Sequence, residues 1–192
     1  MEESKLNLNN TMVVKNGNSF LSEILYFSTE DEMLLSISDM NRGLFNKIMN
    51  FVTTISRTNS FVSKRFVVKT ADKEPLFTIK KKAGISQCYE LFHLDGEMFA
   101  VIRSSSNWRF EMEVLTMAGK IGIIQGETGW WTYDSPDGIR YVDYKKDSYL
   151  PEYKGKTFLT GPNVVRFTNS PDDELNKIAL AVPLIIDLNQ QQ

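Results

Sequence analysis

Apolar and polar positions trade places every second residue over most of this chain, and the alternating runs come in pairs joined by short polar turns. The clearest pair is Tyr89 to Phe92, the turn Leu94-Asp95-Gly96-Glu97, and Met98 to Arg103. Asp-Gly between two apolar runs is a strong hairpin signal, because glycine accepts the positive φ that the turn needs. Phe66 to Thr70 leads in the same way through residues 71–75 into Leu76 to Lys82. Trp108 to Thr116 leads through residues 117–120 into Ile121 to Gln125, and Trp130 to Tyr133 through Ser135-Pro136-Asp137-Gly138 into Ile139 to Tyr144. A weaker first copy joins Glu23 to Phe27 with Met33 to Ser38.

The turn markers Lys73, Gly96, Gly119 and Gly138 are spaced 23, 23 and 19 residues apart. Each repeat is therefore two strands and two turns, which predicts an up-and-down antiparallel sheet or barrel. From Trp108 to Val114 every second residue is apolar and the others are charged, so one face is dry and the other wet. A plain β-meander satisfies these strands equally well.

Two segments break the two-residue period. Leu44, Phe45, Ile48, Met49, Val52 and Ile55 recur at helical spacing and predict a short amphipathic helix over 41–55. Ser170-Pro171-Asp172-Asp173-Glu174 reads as a helix start, with a serine cap, proline at the first position and acids at the positive end of the macrodipole. The helix it opens, about 171–188, is apolar on nearly all sides after Lys177 and must be enclosed. Pro183 within it is expected to kink it. An enclosed helix after a run of antiparallel hairpins points to one threaded through a barrel.

Composition narrows the class. The 192 residues suit one domain, 11–192, behind a frayed polar N-terminus, 1–10. A net charge of −2 gives no general reason to bind nucleic acid. Cys88 is the sole cysteine and His93 the sole histidine, which excludes an internal disulfide and a structural zinc site and suits a reducing, cytoplasmic compartment. The longest apolar run, Ile178 to Ile186, is too short to span a bilayer.

With these features the chain resembles the tubby C-terminal-like superfamily, and within it the LURP-one-related and phospholipid-scramblase-like branch, which includes small bacterial members. The strand–turn–strand units Phe66 to Lys82 and Tyr89 to Arg103 carry the likeness, together with the ending Leu175 to Val182 and Ile186-Asp187. The resemblance covers roughly residues 20–189. It implies a closed antiparallel β-barrel of about 12 strands around a central hydrophobic C-terminal helix. It also implies lipid-related or membrane-adjacent binding, hence a place peripheral to a membrane. The tubby-type C-terminal signature is missing, as are the scramblase-type cysteine cluster, acidic calcium segment and terminal membrane helix, so no family ligand transfers residue by residue.

The residues themselves offer little catalysis. Cys88 and His93 are five apart on one strand and project to opposite faces, which leaves the thiol without a base. Asp172, Asp173 and Glu174 are explained by the helix start, and Asp134 and Asp137 by turn chemistry. No cofactor or metal is expected. Lys80 and Lys82 point outward if Phe77 and Ile79 point inward. With Lys64, Arg65, Lys145 and Lys146 they are candidate contacts for an anionic headgroup, although lysine on strands also serves plain solvation and edge protection. Trp130 and Trp131 fall on opposite faces and are candidate interface aromatics. The functional expectation is a non-catalytic domain that binds anionic lipid or a membrane-associated protein partner. The alternatives are a structural or protein-interaction module without a small ligand and, more remotely, an enzyme.

Overall fold

A computed structural model gives the architecture and describes residues 11–16, 24–40, 63–84, 87–105, 111–127, 129–147, 163–168 and 170–190. The expected helix over 41–55, the N-terminal residues 1–10 and Trp108 lie outside the described residues. Six strands form the first half: β1 (Thr11–Asn16), β2 (Ile24–Phe27), β3 (Met33–Asp39), β4 (Lys64–Thr70), β5 (Pro75–Lys81) and β6 (Cys88–Phe92). Six more follow: β7 (Met98–Ser104), β8 (Glu111–Thr116), β9 (Gly119–Glu127), β10 (Trp130–Asp134), β11 (Arg140–Lys145) and β12 (Asn163–Phe167). Each pairs antiparallel with its neighbours in sequence, and β1 pairs with β12 to close the barrel, with Met12 opposite Val165. The helix α1 (Asp173–Gln190) completes the fold. The expected closed barrel of 12 strands with a C-terminal helix is therefore what the chain forms.

The repeat in the sequence is a repeat in turn geometry. In the β2–β3, β4–β5, β6–β7 and β10–β11 turns the first residue's N–H reaches the carbonyl four residues on, and the fourth residue's N–H returns to the first residue's carbonyl. The fourth residues are Asp31, Lys73, Gly96 and Gly138, all at positive φ. In three of the turns a hydroxyl locks the corner: Ser28, Thr70 and Ser135 each accept the N–H of the residue four further along. A register shift beside each of these turns absorbs the additional residue.

Alternation then sorts the side chains. Tyr26, Ile37, Phe66, Phe77, Tyr89, Ile102, Val114, Tyr133 and Tyr144 point inward and are fully buried. Facing them is α1, whose apolar side chains from Ile178 to Ile186 are buried all round, as expected for a helix threaded through the lumen. Three wall tyrosines fasten it. Tyr26 donates to the Leu180 carbonyl at 2.5 Å, Tyr89 to Asn189 Oδ1 at 2.7 Å and Tyr144 to Asp187 Oδ1 at 3.3 Å. The helix continues through Pro183, which offers no N–H to the Ala179 carbonyl.

The helix start falls two residues later than the sequence suggests. Asp172, not Ser170, is the cap: its carboxylate accepts the Glu174 N–H at 2.8 Å, so Pro171 lies ahead of the cap rather than at the first helical position. Ser170 is instead clamped to Asn176, its N–H on Oδ1 at 2.9 Å and its carbonyl taking the Asn176 amide at 3.0 Å. Aspartate prevails because its side chain reaches the first-turn N–H groups and brings a charge to the macrodipole.

No helix among the described residues is long and apolar enough to cross a membrane. The outward strand positions include Arg65, Lys80, Glu90, Arg103, Glu113 and Asp143, the reverse of the apolar band that lipid-facing strands carry.

On β9, Gly126 lies under the inward indole of Trp131. A Cβ there would sit 2.4 Å from the Trp130 carbonyl oxygen and 2.8 Å from the Trp131 Cα, both backbone atoms that cannot swing aside. Gly126→Ala is therefore expected to lower stability by about 2 kcal/mol or more in urea denaturation, and an unchanged midpoint would contradict this packing.

Candidate functional site

Antiparallel order gives the barrel two unlike ends. At one, the β2–β3, β4–β5, β6–β7, β8–β9 and β10–β11 turns are short, and α1 enters. At the other, the intervening segments 17–23, 40–63, 82–87, 105–110, 128–129 and 146–162 leave and return, and α1 ends. The short-turn end is acidic: it carries Glu30, Asp31, Glu32, Asp72, Glu74, Asp95, Glu97, Asp137, Asp172, Asp173 and Glu174 against Lys73, Lys120 and Lys177. Among the described residues the other end carries Lys64, Arg65, Lys80, Lys81, Lys82, Lys145 and Lys146 together with Asp39, Glu90, Glu127, Asp143, Asp147 and Asp187. Among the described residues, the acidic turns and the candidate cations therefore stand at opposite ends of the barrel.

The candidate cations all belong to this second end, but they do not form one patch. Lys80 and Lys82 are on the outer wall of β5 and its following residue, and both reach Glu90, at 3.6 and 2.6 Å. The hydrogen bond to Glu90 holds the Lys82 ammonium above its ordinary pKa. Arg65 is opposite Lys80 on β4 and shares that outer face. Lys145 and Lys146 stand six strands away around the ring, on the far wall. Lys145 is near Asp143, at 3.7 Å, while Lys146 turns toward the lumen and pairs with the buried Asp187 of α1 at 2.7 Å. Among the described residues, the other oxygen of Asp187 has no hydrogen-bond partner.

Lys64 does not join the outer group. It points inward and is buried, because it shares the parity of Phe66 and Val68 on β4. Opposite it on β5 is Lys81, 2% exposed, with Asp39 buried on β3. Burial first, and the neighbouring Lys64 charge second, push the Lys81 ammonium down to about 8. Burial lowers Lys64 as well, opposed by Asp39. These inward lysines stand at the end toward which the carbonyl terminus of α1 points, where the macrodipole favours positive charge. Lys81 was missed as a distinct group by reading the sequence, although the alternation Phe77, Ile79, Lys81 places it inside.

The two tryptophans face opposite sides of β10, so only Trp130 can be an interface aromatic and Trp131, expected as one, belongs to the core. Trp131 is buried and Trp130 is 45% exposed, with its indole N–H on Asp143 Oδ1 at 2.7 Å. Cys88 and His93 end at opposite ends of β6. Burial raises the Cys88 thiol, and His93 meets Glu174 at 3.2 Å and stacks on Phe99. No group of three or more His, Cys, Asp or Glu is arranged to hold a metal ion among the described residues.

No protein-family model and no curated protein matches the sequence. The fold is similar to the X-ray structure of a protein from Arabidopsis thaliana, with a TM-score of 0.57 and 9% identity over 92% of this chain and 88% of that one. At that identity the likeness concerns the fold alone.

The buried lysine has a consequence for stability. Below about pH 8 Lys81 is protonated in both folded and unfolded chains, and the folded state carries the cost of a buried charge. Between about 8 and 10.5 the unfolded chain still holds a proton that the folded one has released, so stability should rise with pH. Thermal unfolding by circular dichroism is expected to show a higher Tm at pH 9.5 than at 7.5. Lys81→Met should flatten that rise, and an equal rise in the variant would refute this origin.

Proposed function

We propose that this chain is a non-catalytic binding domain of the tubby-like, LURP-one-related type whose outward cations around one end of the barrel dock on an anionic lipid surface. The outward cations Arg65, Lys80, Lys82 and Lys145, set around one end of the barrel, carry this reading. The carboxylates of the short-turn end are repelled by an anionic surface, which favours approach with the cation-bearing end first.

The arrangement of the cations favours a surface over a small ligand. Lys80, Lys82 and Arg65 are on one wall, and Lys145 is on the opposite wall of the same end. No single small anion reaches both walls, whereas a planar membrane meets the whole rim. The Glu90 carboxylate between Lys80 and Lys82 does not prevent this. The lysine partners are 37% and 50% exposed, and a headgroup phosphate can draw either of them away. The lumen is filled by α1, so a ligand for this domain is met on the outside.

Co-sedimentation of the full chain with phosphatidylserine-containing and with neutral vesicles tests the proposal. Binding should appear only with the anionic vesicles and weaken as salt rises toward physiological strength. Each basic residue near such a surface is worth roughly 1 kcal/mol. The Lys80→Glu, Lys82→Glu double variant should therefore lose about tenfold or more in affinity, and Lys145→Glu on the far wall should weaken binding as well. Equal binding to neutral vesicles, or none to either, would overturn the lipid reading, and the second result would turn attention to a protein partner.

A further inference from the structure

The outer face of β8–β11 carries a feature that the charged rim does not explain. An open groove of about 420 Å³ runs between Glu111, Gln125, Glu127, Trp130, Thr132 and Arg140, floored by the backbone of Gly126. Its volume is within the range of small-molecule sites. Strand pairing builds it: Glu111, Gln125 and Thr132 form one outward row across β8, β9 and β10. Trp130 and Glu127 form the next row toward the rim.

The groove is built rather than incidental. The Asp143 carboxylate fixes the Trp130 indole through its N–H at 2.7 Å, and nearly half of the side chain remains open to solvent. Arg140 is held by Asp134 at 2.9 Å, and the other oxygen of Asp134 takes the Thr132 hydroxyl at 2.7 Å. That leaves further guanidinium N–H groups of Arg140 to serve a ligand. Glu111 is anchored on one oxygen by Ser105 at 2.7 Å, and Gln125 is exposed with an amide that both donates and accepts.

Charge decides what class of molecule fits. Asp134 and Asp143 are balanced by Arg140 and Lys145, while Glu111 and Glu127 add negative charge, so an anionic ligand is repelled. A cationic ligand finds the indole already flanked, by the Arg140 guanidinium 5.9 Å and the Lys145 ammonium 5.5 Å from the ring centre. What remains is a neutral molecule with an apolar face for the indole and hydroxyls that both donate and accept. A pyranose has that chemistry: its axial C–H groups stack on an aromatic face, and its hydroxyls match carboxylate, amide and guanidinium partners. We propose that this groove is a binding site for a neutral carbohydrate, with Trp130 as the stacking platform and Glu111, Gln125 and Arg140 as the hydroxyl contacts.

Calorimetric titration of the full chain with cellotetraose, maltotetraose and tetra-N-acetylchitotetraose, each to about 10 mM so that millimolar binding registers, tests the site. At least one of the three should bind saturably. Trp130→Ala should reduce that affinity by roughly tenfold or more, Trp130→Phe should restore part of it, and Arg140→Ala should cost about fivefold. Circular dichroism of each variant separates lost binding from lost folding. No saturable binding of any of the three, or binding indifferent to both Trp130→Ala and Arg140→Ala, would overturn the proposal. Tetralysine serves as the cationic comparison, and Trp130-dependent binding of tetralysine with none of the sugars would assign the groove to a basic peptide instead.

Discussion

Everything in this molecule depends on enclosing a helix that has no polar side to show to water. From Ile178 to Ile186 its side chains are buried all round, and such a helix cannot lie on a surface without exposing a large apolar area. Twelve strands wrap it, and the pairing of β1 with β12 removes the last free edge. Three phenols of the interior serve this enclosure. Tyr26, Tyr89 and Tyr144 reach from three separate strands to satisfy polar groups on the helix. Burial raises the pKa of each of these phenols, and so keeps them as donors.

Because the helix fills the lumen, the wall and the two ends are left to meet other molecules. The short-turn end holds the start of the helix and a crowd of carboxylates that complement its dipole. The opposite end holds the candidate cations, and two lysines there, Lys64 and Lys81, are turned inward where the helix terminates. This separation is therefore partly a by-product of seating one helix along the axis.

The five hairpins were legible because their causes are local. Asp95-Gly96, Pro136-Asp137-Gly138 and the alternation on both sides fix turn and register within a dozen residues. The enclosed helix was legible for the same reason, since its uniform apolarity needs no partner to be recognised. Its cap was misplaced by two residues because Ser170 and Asp172 are both good caps, and the choice fell to the clamp between Ser170 and Asn176. The candidate cations could be named from composition, but their faces could not all be read.

By itself, then, the sequence determined a repeating antiparallel sheet, a helix that must be surrounded, and the residues able to meet an anion. Only the tertiary structure decided that β1 and β12, about 150 residues apart in the chain, close the ring, because neither strand carries a turn signal and each is specified by the other. It also decided that Lys64 faces inward and Lys146 holds Asp187, and that Lys80 and Lys145 stand on opposite walls of one end. The groove beside Trp130 belongs to the same category. Its residues come from four strands that register alone brings together, and register across a closed barrel is a property of the whole ring rather than of any segment.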